Sequence, residues 1–432
     1  MSDQYQVAAT KTIPVNSLPP ILRLFALWTV LLGIIDVVTK FVCHHVLRLS
    51  ERYDSLVFPR PLLGVDFRCF FPRFRDFHHP NFFATDAAHG LMFMYPAPAA
   101  LVYQFFYILP RPKAWYCLAC VVGILTAALQ FSRVLEKVGL SRRSAYLFTA
   151  VCVIFSFPLF FNLWLGNIEI FVAFLIWPAL YCFVTGRYWL AGFLIGLAGA
   201  IKFYPLAFLA LLFSKKRYWE VAFSLVIYGA FTLFSMWLVS GSIATSQHGI
   251  QVGLEAVKTG YTLPFITFDS GVDHSLFALI KSSIVAFGFT YPSLETIAKI
   301  WKVYVIVTPI VGLAIYFLRI RLLPLLNQLL CIGILAVTLT PASRDYTLLN
   351  LYVPWAMLAF LAVEAYRTGQ KIPGMKAAFI CFVLIMSPLN EFILHSNVIA
   401  GQIKALVLVA LLVIGLRYPF VAEEQPSVYA PA

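Results

Sequence analysis

Charge is what this sequence has least of. Only 12% of its 432 residues are Asp, Glu, Lys or Arg, against about 25% in an average soluble domain. Acids are the scarcer sign, 19 against 32 basic residues. A chain this poor in charge and 61% hydrophobic is excluded from the ordinary soluble class. Other things are missing too. There is no glycine loop of the kind that cradles a phosphate, no cluster with metal-ligand spacing and no serine-histidine-aspartate signature, which leaves soluble-nucleotide chemistry without support. No repeat of fixed period is visible. The eight cysteines are scattered, mostly through apolar segments. Cys117 and Cys120 form a CxxC inside a predicted helix without a second pair, which argues against a redox or zinc role and against a disulfide framework.

What is present is a succession of apolar runs. A bilayer crossing needs roughly 20 apolar residues, and candidate spans fall near residues 21–42, 91–110, 115–133, 144–165, 168–184, 188–202, 203–213, 219–239, 275–289, 297–317, 322–340, 347–366, 374–393 and 401–417. The expected fold is an all-α polytopic membrane bundle of roughly 11–14 transmembrane helices. The runs 203–213 and 275–289 are short and read as half-helices or re-entrant segments. The first run contains Asp36 and Lys40 and is not followed by a small-residue cleavage site, so it reads as a retained helix. Residues 1–20 form a cytoplasmic tail, 21–417 a single membrane domain and 418–432 a disordered tail in this reading.

The net charge of +13 does not point to nucleic acid. Basic residues sit in short clusters between apolar runs: Arg111 and Lys113, Arg142 and Arg143, Lys215 to Arg217, Arg319 and Arg321. This is the pattern of topology signals and of contact with anionic lipid. Lys215 to Arg217 and Arg142 with Arg143 mark cytoplasmic turns; if 188–202 and 203–213 are separate short spans, Arg187 is cytoplasmic as well, and Lys202, Asn167 and the 240–274 loop then fall on the outer side. Arg111 and Lys113 compete for the inside and leave spans two and three unoriented.

Two connections are long. The 44–89 loop carries Asp54, Asp66, Asp76 and Asp86 among many phenylalanines, and the 240–274 loop carries Asp269 and Asp273. Long loops in a compact protein are commonly functional. The aromatic density of the first points to short amphipathic helices at the membrane surface.

Chemistry has few places to reside. Lys202 ends an apolar run and is followed by Phe203-Tyr204-Pro205. A lysine at membrane depth costs roughly 2.5–3.5 kcal/mol on insertion scales and commonly marks a site. Lys202 is therefore a candidate to hold an anion such as a phosphate, with snorkelling to the headgroups as the other reading. Asp66, in an aromatic loop, is a candidate general base toward a hydroxyl, or a surface aspartate paired with Arg68 or Arg73. Gly166-Asn167-Ile168-Glu169 breaks two apolar runs, and a helix cap is the simpler single-residue reading, but Glu169 is one of very few acids near membrane depth. His274, in Asp273-His274-Ser275-Leu276, could hydrogen-bond a phosphate or sugar. Arg344, in Thr340-Pro-Ala-Ser-Arg344-Asp345-Tyr346, could clamp a phosphate or pair locally with Asp345. Polar residues gather at span ends, which suits an enzyme acting on a lipid-borne substrate, and also a transporter or flippase of a lipid-linked or anionic substrate.

Several of these segments resemble glycosyltransferase family 87. They are Asp66-Phe67, Tyr95-Pro96, Gly166-Asn167, the run from Ala191 into Lys202-Phe-Tyr-Pro205, Lys215-Lys-Arg-Tyr-Trp219, Asp273-His-Ser-Leu276 and Thr340-Pro-Ala-Ser343. The resemblance runs from about Ile21 to about Phe360. It implies a multi-helix enzyme of the C-type glycosyltransferase superfamily, in a bacterial-type cell membrane, with its active site on the extracytoplasmic side. The implied donor is a polyprenyl-phosphate sugar, commonly mannose, and the acceptor a lipid or glycan. Transfer is with inversion, and no cofactor beyond the donor substrate is expected. Asp66 matches the family's general base. Lys202, Tyr204, Arg344 and His274 would meet the donor phosphate, and Asn167, Glu169, Asp273, Ser275, Asp345 and Tyr346 would line the substrates. No metal site is expected, although an ion shared by Asp66 and the donor phosphate stays open. The sequence departs from the family pattern at Arg344-Asp345-Tyr346, where many members carry tryptophan and histidine, and at Asp273-His274, where an asparagine-glutamine pair is commoner.

Overall fold

The computed structural model describes residues 18–42, 46–48, 64–83, 92–264, 273–288, 292–387 and 397–421. Most of the expected tails, the loop residues Asp54, Asp86 and Asp269, and Asn390 and Glu391 lie outside them. The described chain is helical, and an isolated bridge pairs the backbones of Asp273 and Arg344. In chain order the helices are α1 (Pro20–Phe41), α2 (Val65–Phe70), α3 (Ala97–Tyr107), α4 (Pro112–Lys137), α5 (Arg142–Ile154), α6 (Phe157–Leu165), α7 (Glu169–Val184) and α8 (Tyr188–Ile201). Then follow α9 (Leu209–Ser214), α10 (Tyr218–Ser240), α11 (Ile243–Val257), α12 (Leu276–Gly288), α13 (Leu294–Leu318), α14 (Leu325–Thr338), α15 (Tyr352–Thr368), α16 (Met375–Met386) and α17 (Asn397–Arg417).

Among the described residues, five helical stretches are long and apolar enough to cross a bilayer: Pro20–Thr39, Pro112–Lys137, Tyr218–Ser240, Leu294–Leu322 and Asp345–Thr368. The pair α5–α6 makes a sixth if it counts as one span bent by 49°. The bend falls where Ser156 caps α6 and Pro158 occupies its first turn, a position that tolerates proline because its N–H would go unpaired. Six more apolar segments run only 10–17 residues, more than the two short runs anticipated. Several stop at polar turns: α7 begins at Glu169 and α8 ends against Lys202.

These short helices set the site's position. Helices α7 and α8 form a hairpin, so the start of one lies beside the end of the other. The sixteen residues of α7 rise about 24 Å, which separates Glu169 and Lys202 from the Gly186–Arg187 turn. Helix α8 also packs on α10, through glycine. A Cβ at Gly196 would lie 2.6 Å from the Ser224 carbonyl oxygen and one at Gly192 2.9 Å from that of Glu220. Small residues four apart let two backbones approach closely where lipid offers no hydrophobic drive.

The short helices expected in the first loop are there, and most of their aromatic side chains turn inward, Phe71 remaining exposed. Phe67, Phe70, Phe74, Phe82 and Phe83 are buried. Phe67 packs edge-on against Tyr103 at 5.7 Å, Phe74 lies 4.5 Å from Tyr107, and Phe82 meets Phe93 at 5.3 Å between ring centroids. Buried Arg73 donates to the Phe82 carbonyl at 2.7 Å and ties the two 3-10 turns Phe71–Asp76 and Pro80–Phe83 together. The phenylalanines thus close a protein core around α3, and that core carries Asp66.

Candidate active site

Gly64, at φ +80°, opens α2, with Asp66 in its first turn. Its N–H donates to the Trp164 carbonyl at 2.9 Å, which fixes α2 against the end of α6. There Gly166 turns the chain at φ +66°. A Cβ at Gly166 would lie 2.6 Å from the Gly64 Cα and 3.1 Å from the Phe67 Cβ. Hence Gly166→Ala, which must enter the left-handed region and also push backbone aside, should cost on the order of 2–4 kcal/mol. A thermal-unfolding scan of the purified variant in detergent reads that loss as a lowered midpoint.

Three tyrosine hydroxyls hold the surrounding backbone. Tyr103 donates to the Gly166 carbonyl at 3.1 Å, Tyr116 to the Asn167 carbonyl at 3.0 Å and Tyr107 to the Phe67 carbonyl. Asn167 is therefore held by its backbone on one side, and its side chain is spent on two charged groups. Its Nδ2 donates to Asp66 Oδ2 at 3.0 Å and to the Tyr95 hydroxyl at 2.7 Å. Its Oδ1 accepts from Lys202 Nζ at 3.3 Å and from the Glu169 N–H at 3.1 Å. The Tyr95 hydroxyl lies 3.5 Å from the same Asp66 oxygen.

Lys202 ends α8 in extended backbone. Its ammonium sits 2.7 Å from Glu169 Oε2, with 13% of its side chain exposed and none of the Glu169 side chain. The rings of Tyr346 and Tyr95 flank it at 4.8 and 5.4 Å. Glu169 is fully engaged: its other oxygen accepts from the Tyr204 hydroxyl and, at 2.9 Å, from Asn350 Nδ2. Asn350 also reaches the Tyr204 hydroxyl at 2.5 Å. A buried ion pair is tolerated when further hydrogen bonds satisfy the remaining lone pairs, as they do here.

Burial raises the Asp66 carboxyl above its ordinary range; the Asn167 hydrogen bond and the charges of Arg344 and Lys202 pull it partly back. Desolvation with nearby cations is how a carboxylate is made more basic yet kept ionisable. The arrangement is a half-buried carboxylate and a half-buried ammonium joined through one amide, with an arginine close by. Chemically, it can accept a proton at one point and hold an anion at another.

Of the residues singled out in the sequence, Asp66, Asn167, Glu169, Lys202, Tyr204 and Tyr346 come together here. Asp273, His274, Ser275 and Asp345 lie behind them as a second group. Asp273 Oδ1 accepts from the N–H groups of Ser275 at 2.9 Å and Ser343 at 3.0 Å, and burial raises its carboxyl despite these bonds. The His274 N–H donates to the Ser343 carbonyl at 2.9 Å, and its ring nitrogens lie 3.3 Å from Asp345 Oδ1 and 3.2 Å from Ser343 Oγ. Ser275 Oγ caps α12 by accepting from the Ala278 N–H at 3.0 Å. Arg344 joins the two groups: its backbone pairs with that of Asp273 and its charge acts on Asp66, while its guanidinium lies 5.9 Å from the centre of the Tyr261 ring. Sequence reasoning assigned no site role to Tyr95, Asn350 or Lys404. Lys404 is buried inside α17, as Lys281 is inside α12, so polar groups are not confined to span ends.

A family profile described as Glycosyltransferase family 87 matches residues 93–341, more than half of the chain. A polyprenol-phosphate-mannose-dependent alpha-(1-2)-phosphatidylinositol pentamannoside mannosyltransferase of Mycolicibacterium smegmatis is 35% identical over 159 residues, which are 36% of this chain and 37% of that protein. The match thus spans little more than a third of that relative's length.

Proposed function

The chain belongs to glycosyltransferase family 87, and on that premise we propose that it moves a hexose, mannose first among the candidates, from a polyprenyl-phosphate sugar to a lipid or glycan acceptor, with Asp66 as general base. The observation that carries this reading is the Asn167 amide, which joins Asp66 at 3.0 Å to Lys202 at 3.3 Å. A proton acceptor and a cation at fixed separation are what a displacement with a phosphate leaving group requires.

In the proposed reaction the acceptor hydroxyl attacks the anomeric carbon and gives its proton to Asp66. Since Asn167 and Tyr95 engage Oδ2, Oδ1 is the oxygen assigned to take it. The C–O bond to the phosphate breaks on the opposite face, and polyprenyl phosphate leaves with the electron pair. The charge it carries is met by Lys202, with Arg344 and Tyr204 alongside. Fixed charges aimed at a developing anion in a water-poor site are commonly the largest single contribution to catalysis. One displacement of this kind inverts the anomeric centre. The site is assigned to the extracytoplasmic face of the cell membrane: Arg187 and Lys215 to Arg217, the basic clusters expected inside, lie at the opposite end of the α7–α8 hairpin from Lys202.

The test is a donor panel. The full chain in liposomes is offered radiolabelled polyprenyl-phosphate mannose, glucose or arabinose with a membrane lipid extract. Consumption of one donor by the wild type, with label appearing in a new lipid or glycan, supports the reading and identifies the acceptor. If no donor is consumed and none raises the unfolding midpoint, transfer chemistry fails and transport of a lipid-linked or anionic substrate takes its place.

A further inference from the structure

We propose that Lys404 is a positioning residue: from α17 it holds Asp345, and so fixes the turn that presents Arg344 and Tyr346 to Asp66 and Lys202. This rests on the glycosyltransferase reading. The family profile ends at residue 341 and assigns neither the turn nor Lys404.

Lys404 Nζ lies 2.8 Å from Asp345 Oδ2, and both side chains are completely buried. The Phe157 ring faces the ammonium at 4.5 Å. The other Asp345 oxygen meets His274 Nδ1 at 3.3 Å, and His274 Nε2 lies 3.2 Å from Ser343 Oγ and 3.3 Å from Thr347 Oγ1. Backbone bonds close the same turn: the Ser343 N–H donates to Asp273 at 3.0 Å, and the Thr347 N–H donates to the Arg344 carbonyl at 2.8 Å. Arg344 therefore stands between two anchored neighbours, Ser343 and Asp345. Tyr346 follows, stacked on Phe161 at 5.9 Å and 11° with its ring 4.8 Å from the Lys202 ammonium.

A buried ion pair is a poor source of stability, since well-packed apolar residues often do as well or better. It is a good source of geometry, because removing either partner strands a charge. Here the geometry it fixes is that of the two side chains bordering the candidate phosphate site. The consequence is that α17, far along the chain, forms part of the site's frame.

The experiment uses the full chain in nanodiscs, with Lys404→Met, Lys404→Arg, Asp345→Asn and Arg344→Ala, and reads two quantities. One is backbone hydrogen exchange over 343–351. The other is turnover of polyprenyl-phosphate mannose per folded molecule. Lys404→Met should speed exchange in that segment at least about tenfold and leave the α7–α8 hairpin unchanged, as expected when one local unit is loosened. Its turnover should fall about 100-fold, the scale of a misplacement near 1 Å, and Lys404→Arg should recover part of it. Combined with Arg344→Ala, Lys404→Met should add little further loss, as for residues acting through one another. If Lys404→Met does not fold, the isosteric Asp345→Asn carries the same comparison. Turnover within about twofold of wild type, unchanged exchange, or losses that multiply independently with Arg344→Ala would overturn the proposal. If the wild type transfers no sugar at all, the glycosyltransferase reading has failed, and exchange alone still decides whether Lys404 fixes the turn.

Discussion

Asp66→Asn should abolish sugar transfer while leaving the protein as stable as the wild type, or more so. The variant keeps the side chain's shape and can still accept from Asn167 through its amide oxygen, so the turn geometry survives. What it loses is the ability to take a proton, a contribution of typically 10²- to 10⁴-fold. The stability half follows from the sign of the shift. Burial holds the folded-state carboxyl above its ordinary value. Such a group favours the fold when protonated, and that contribution is lost as pH rises through the folded-state value. In its ionised form Asp66 therefore costs stability, and asparagine removes the cost. The acid limb of the wild-type rate profile should accordingly lie above the usual carboxylate range, because transfer needs the unprotonated form. A variant that is inactive and also clearly less stable would argue that Asp66 is chiefly structural.

The second large effect is expected at Lys202. Lys202→Met leaves Glu169, whose side chain has no solvent exposure, without its cation. Breaking a buried pair in this way costs about 3–5 kcal/mol. Transfer should also fall by about 10²- to 10³-fold, the range seen when one stabilising group is removed from a reacting anion. The double variant Lys202→Met with Glu169→Gln separates the two. It should regain most of the stability, since the stranded charge is gone, and none of the activity. Unfolding midpoints and donor turnover measured on all three proteins decide it. Recovery of activity together with stability would mean that Lys202 serves only to satisfy Glu169.

Much of this site is legible in the sequence, for a physical reason. Ionisable residues are scarce here, so Lys202 and Glu169 stand out beside apolar runs, and Asp66 stands out in an aromatic loop. What the residues alone leave open is their pairing. Asn350 lies 181 positions from Glu169 and looks like any polar residue at the start of a span, yet it is one of the donors that Glu169 accepts from. Tyr95 reads as part of a proline-bearing helix start, although its hydroxyl is shared between Asn167 and Asp66. Lys404 carries the same signal as Lys202, a lysine within an apolar run, but nothing in the sequence ties it to Asp345, 59 positions earlier. The phenylalanines of the first loop show the reverse case: aromatic density reads equally well as a face toward lipid or toward protein, and only packing against α3 distinguishes them.

At the site where one Asn167 amide touches both Asp66 and Lys202, the proposed chemistry has a proton output. The donor enters as a phosphodiester with a single negative charge. The polyprenyl phosphate that leaves is a monoester, carrying about −1.5 to −2 near neutral pH. The added negative charge is matched by the acceptor's proton, which sits on Asp66 at the end of the step. Total charge around Asn167 is unchanged by the transfer, and the resting state returns only after both polyprenyl phosphate and that proton depart. Each sugar moved therefore acidifies the aqueous compartment onto which the site opens, by close to one proton per turnover once the pH is well above the second ionisation of a phosphate monoester, roughly 6.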